Sequence, residues 1–138
     1  MKRNERRQTM KRLVMAFMIL LVAGGLVYAK DYEMTKKAGD YTVKIAIDKN
    51  PPVTGENNIA VEIKDAASKN VTDAIVVIDY GMPAMPGMPA MNYKAAASLK
   101  NKRYVATVNF SMSGPWAVTI KITRGGKTQS VKLNVDAK

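Results

Sequence analysis

From Tyr41 to Val135 apolar and polar residues alternate in short runs, and after Ala29 no apolar stretch has helical period. Tyr41, Val43, Ile45 and Ile47 alternate with Thr42, Lys44, Ala46 and Asp48. Ile59, Val61 and Ile63 form a second set, and Tyr104, Ala106, Val108 and Phe110 a third. Trp116, Val118, Ile120 and Ile122 form a fourth, and Val131, Leu133 and Val135 a fifth. A period of two puts one face of each segment in a core and the other in water, as antiparallel sheet requires. Residues 74–80, AIVVIDY, begin apolar on both faces and are predicted to form a central strand.

Turn signals separate these runs. Asn50-Pro51-Pro52 with Gly55 divides the first two, and Asp65 to Asn70 is a polar connection. Gly125-Gly126 lies between two alternating runs, a strong hairpin signal. The expectation is an all-β chain, an immunoglobulin-like antiparallel sandwich of six or seven strands. With no cysteine pair, it is Ig-like and not a true Ig domain. Trp116, the single tryptophan, is read as a core anchor at a strand start.

The amino-terminal end differs. Lys2, Arg3, Arg6, Arg7, Lys11 and Arg12 face Glu5 alone, and residues 13–29 (LVMAFMILLVAGGLVYA) carry no charge. A basic flank before an apolar run marks an export signal or a membrane anchor. The run is at the short end for spanning a bilayer, and Val27-Tyr28-Ala29 resembles a cleavage site. Both readings predict one hydrophobic helix and an exported remainder, in the periplasm or on the outer face of the cytoplasmic membrane. Residues 1–29 are therefore read as signal peptide or anchor, 30–40 as a linker, and 41–138 as the folded domain.

The chain has no histidine and no cysteine. That excludes disulfides, thiolate and imidazole metal sites, and Ser–His–Asp or Cys nucleophile chemistry. No nucleophile–base pair is visible, and a non-enzymatic role is expected. Without residues 1–29, sixteen basic and ten acidic residues remain, interspersed along the chain. Export and the lack of a basic stripe argue against nucleic acid as a partner.

Residues 81–92, GMPAMPGMPAMN, carry the chemistry. Met82, Met85, Met88 and Met91 recur every third residue, and Pro83, Pro86 and Pro89 follow the first three. Proline excludes helix and interior strand here and favours polyproline II, with three residues per turn. On that helix the four thioethers would line one edge, with Gly87 free to bend. Thioether sulfur is a soft, neutral ligand suited to Cu(I) and poor for zinc, calcium or magnesium. Met112, in FSMSGPW, also lies in a connection between strands and is the best further ligand if both connections share one end. The alternative is a Met/Pro loop that covers the sandwich or docks on a membrane complex.

The segments PPVTGENNIAVEIKDAASKNVTDAIVVIDYGMPAMPGMP and RYVATVNFSMSGPWAVTIKI resemble the YtkA-like family and the related FixH-like proteins. The specific parts are the Met/Pro loop and the run of Tyr104, Ala106, Phe110, Ser111, Met112, Gly114 and Trp116. The resemblance implies a small β-sandwich outside the cytoplasmic membrane, often behind one hydrophobic segment, and an association with copper handling. The implied Cu(I) ligands are Met82, Met85, Met88, Met91 and Met112. The implied partners are the membrane, through residues 13–29 if uncleaved, and a copper-accepting oxidase or efflux complex.

Overall fold

The computed structural model describes residues 31–138, and the hydrophobic helix expected within residues 1–29 lies outside the described residues. The five alternating runs and the apolar segment 74–80 are strands β2 (Tyr41–Ile47), β3 (Gly55–Lys64), β4 (Ile75–Met82), β7 (Arg103–Phe110), β8 (Gly114–Arg124) and β9 (Lys127–Ala137). Three more strands raise the number from the expected six or seven to nine: β1 (Tyr32–Ala38), β5 (Met91–Ala96) and β6 (Ser98–Lys100). The stretch 30–40 is therefore not a linker. Its residues pair with β2 over the whole length of β1, from Tyr32 opposite Ile47 to Ala38 opposite Tyr41.

The strands form two antiparallel sheets, one ordered β1-β2-β3-β7-β6 and the other β5-β4-β8-β9. Alternate residues of both inner faces meet in one core, where Val43, Ile45, Ile59, Ile78, Phe110 and Trp116 are fully buried. The two sheets are laced at their edges. The chain passes from β5 to β6 at Ala97, whose N–H donates to the Val76 carbonyl at 2.9 Å. On the opposite edge the Lys36 ammonium donates to the Lys132 carbonyl at 2.6 Å, joining β1 to β9. Lys36 stands where an apolar residue would normally face the core, which is why β1 does not read as a strand.

Two buried polar groups lock connections. The Tyr104 hydroxyl donates to the Val71 carbonyl at 3.0 Å and accepts from the Ala74 N–H at 3.1 Å, fixing the path from β3 to β4. The fully buried Asn57 amide satisfies the backbone of Val53 and Gly55. The register sets the two ends apart. The β2–β3 and β7–β8 connections, the methionine segment and the end of β9 gather at one end. Lys138 closes that end through its N–H to the Pro52 carbonyl at 2.9 Å and its carbonyl from the Thr54 N–H at 3.0 Å.

Candidate metal centre

The methionine segment is not a polyproline II stripe. It is the turn of the β4–β5 hairpin. Met82 ends β4 directly opposite Met91, which begins β5. The same register continues to the tip, where Met85 lies opposite Met88. There the Met85 N–H donates to the Met88 carbonyl at 3.0 Å and the Met88 N–H returns to the Met85 carbonyl at 2.8 Å. Pro86 and Gly87 form the two-residue reversal. Proline at the second position of the turn and glycine at the third, here with φ of 80°, is the type II pattern. Gly87 is thus the bend expected from sequence, and it folds the period-three repeat back on itself. Because the repeat is symmetric about that turn, folding turns four single methionines into two cross-strand pairs.

The pairs have different surroundings. Met82 is buried in the core and Met91 is half-buried against it. Met85 and Met88 are each 38% exposed, so the tip pair is open to solvent where the root pair is not. The prolines explain why regular pairing stops between the pairs: they have no N–H to donate. At about 3.3 Å per residue, the tip pair stands roughly 10 Å beyond the root pair.

The connection that carries Met112 crosses close to the root. The Ser111 hydroxyl lies 3.8 Å from the Met91 sulfur and donates to it. A Cβ placed on Gly114 would meet the Met82 terminal methyl at 3.4 Å. The connection 111–113 therefore crosses the hairpin root, with Met112 half-buried between these two contacts. The Trp116 indole N–H donates to the Met112 carbonyl at 3.0 Å, so the core anchor also fixes this loop. Below it Trp116 lies against Phe110 (ring centroids 5.2 Å apart) and Tyr93 (6.2 Å), and Tyr80 stacks on Tyr93 at 5.5 Å. The root thus adjoins a cluster of aromatic rings.

Sequence reasoning did not find Gly81, Gly114 or Ser111 as parts of this site. A Cβ on Gly81 would lie 2.5 Å from the Met91 carbonyl oxygen, so glycine here lets β4 and β5 close at the root. Gly114 has φ of 124°, which other residues rarely adopt, and its missing side chain leaves space for Met82. Their signal was present as a glycine before the methionine repeat and another in FSMSGPW, but their roles depend on the register. Among the described residues, no group of three His, Cys, Asp or Glu side chains converges. The nearest carboxylate on the outer face of β4, Asp79, pairs with Lys121 at 2.5 Å. The side chains that the hairpin pairs are neutral thioethers, a donor type that suits a soft monovalent ion.

A family model described as YtkA-like matches residues 35–121, and the chain belongs to that family. The match runs from the middle of β1 to most of β8 and includes all five methionines of the candidate centre. Neither a curated protein nor a solved structure matches the chain.

Proposed function

We propose that this YtkA-like chain is an exported, non-enzymatic Cu(I)-binding protein that holds copper outside the cytoplasmic membrane and passes it to a membrane-bound acceptor. The observation that carries the reading is the hairpin register, which brings methionines together in pairs at the end where Met112 crosses. Met82, Met91 and Met112 are the holding group, and Met85 and Met88 are the solvent-facing group that takes up or surrenders the ion. Thioethers need no deprotonation to bind, so exchange between the two groups requires no proton transfer. The strand order supports an immunoglobulin-like assignment: β2-β3-β7-β6 follows the A-B-E-D order and β4-β8-β9 the C-F-G order, with β1 and β5 as additions.

Titration with Cu(I) under reducing conditions, with Ag(I) as the redox-inert analogue, tests this reading. Saturable binding that weakens when the methionines of either group are replaced by serine is the expected result. Unchanged binding in a variant lacking all five would end the copper reading and leave a docking module.

A further inference from the structure

We propose that the open edge of β9 is a strand-addition surface for a second copy of this chain, and that Lys36 keeps it closed. The inference stands whether or not copper binds. β9 is the last strand of its sheet and pairs on one side only, with β8. Its two-residue turn sets Arg124 opposite Lys127. Such a closing pair exchanges both of its backbone bonds, and bonding then alternates along an antiparallel ladder. The odd-numbered residues of β9 therefore bond to β8, and the even-numbered ones turn their N–H and C=O outward. Two contacts agree with that parity. Lys138 donates its N–H to the Pro52 carbonyl and accepts from the Thr54 N–H, and the Lys132 carbonyl accepts from the Lys36 ammonium.

The 52–54 segment thus seals the end of the edge. Between that seal and the β8–β9 turn, Ser130, Lys132, Asn134 and Asp136 turn their backbone groups outward, and among the described residues no strand pairs with them there. An open edge of this length is a template for another strand. Its sequence suits its own copy. In an antiparallel pairing centred on Leu133, Lys132 faces Asn134 of the second copy and Ser130 faces Asp136, each twice by the two-fold symmetry. Asp136 of the second copy is then the diagonal neighbour of Lys132, and no like charges stand opposite each other. Centring on Lys132 would oppose two lysines. Centring on Asn134 would set Ser130 opposite Lys138 of the second copy, whose edge the 52–54 segment already occupies.

Lys36 stands in the way. It holds an inward position of β1, between Met34 and Ala38 and opposite Val43. From there its ammonium crosses to the β9 edge and donates to the Lys132 carbonyl at 2.6 Å, near the middle of the open stretch. That carbonyl is the acceptor that the Asn134 N–H of a second copy requires. An incoming strand must also cover the ammonium, and a charge stripped of water without a counter-ion is costly. A charged side chain at an inward edge position is a known way to keep an edge from pairing.

The full chain is purified in detergent without metal, and light scattering reads the protein mass per particle for the parent and three variants. Lys36→Val suits an inward strand position and removes the charge, so its mass should double. Lys36→Arg keeps a cation and should match the parent. Asn134→Pro removes one outward N–H, which an edge strand tolerates, and added to Lys36→Val it should return the mass to that of the parent. A misfolded Lys36→Val chain would not be restored by a proline, so the double variant separates pairing from unfolding. Lys36→Val at the parent's mass overturns the proposal. So does a larger mass that Asn134→Pro leaves unchanged, or a parent whose own mass Asn134→Pro halves, since its edge would then be open with Lys36 in place.

Discussion

Met85 and Met88 exchange both backbone hydrogen bonds across Pro86-Gly87, in the register that sets Met82 opposite Met91. A repeat of three residues would alternate faces along one strand. Folded about a two-residue turn, it pairs like with like. The burial difference between the two pairs gives them different costs in stability.

Met82→Ser should destabilise the domain and the double change Met85→Ser with Met88→Ser should not. Removing a buried methionine side chain costs about 2–5 kcal/mol, whereas exposed substitutions fall within about 0.5 kcal/mol. Urea unfolding of the three proteins checks this. An unstable tip variant would place those side chains in the core.

Glycine substitutions should separate the root from the tip. Gly87→Ala has open space for its Cβ but must hold a positive φ, a cost of about 1–2 kcal/mol confined to the turn. Gly81→Ala drives a Cβ against the Met91 carbonyl and must part β4 from β5. Both should weaken Ag(I) binding, and Gly81→Ala alone should lower the thermal midpoint by an amount comparable to a core change. Equal thermal midpoints with equal Ag(I) affinity would show that the hairpin geometry does not matter to the ion.

The fold was legible where alternation met a two-sided core. Six strands, the Gly125-Gly126 hairpin and the buried Trp116 could all be read from it. The edge strands could not. In β1 Lys36 lies at an inward position and escapes through the Lys132 carbonyl, and β5 and β6 are mostly exposed, so neither shows a period. The methionine segment was not legible in shape. Proline propensity argued for an extended helix, and tertiary pairing of Gly81 with Asn92 and Met82 with Met91 overrode it at the base of the hairpin.

Tyr104→Phe should cost stability although no apolar contact is lost. The Val71 carbonyl and the Ala74 N–H would both lose their hydroxyl partner, and an unsatisfied buried group costs about 1–3 kcal/mol. Metal binding at the methionine end, away from Tyr104, should be unaffected. A variant as stable as the parent would mean that water replaces the hydroxyl.

Trp116→Ala should lower stability by about 3–5 kcal/mol, a large share for a domain of this size. Its indole also holds the Met112 carbonyl, so any folded fraction should bind Ag(I) less tightly. Trp116→Phe keeps much of the packing and loses the hydrogen bond. It should therefore retain more stability than Trp116→Ala while binding less well than the parent, and a match to the parent in both measurements would remove Trp116 from the site.

Metal choice and the contribution of single sulfurs provide the closing test. Neutral thioethers do not offset the charge of Zn(II) or Cu(II), and the chain supplies neither imidazole nor thiolate to help. Binding should therefore be measurable for Cu(I) and Ag(I), with no specific Zn(II) site. Met112→Ser should weaken binding more than Met34→Ser, because the Met112 loop crosses the hairpin root whereas Met34 lies on the edge strand β1, opposite Ile45. A single change at the tip should cost less than Met112→Ser, since the opposite tip methionine remains. Competition titrations of these variants against a chromophoric Cu(I) chelator rank them directly. Equal affinities for Met34→Ser and Met112→Ser, or Zn(II) held more tightly than Cu(I), would show that the methionine hairpin serves docking instead of metal.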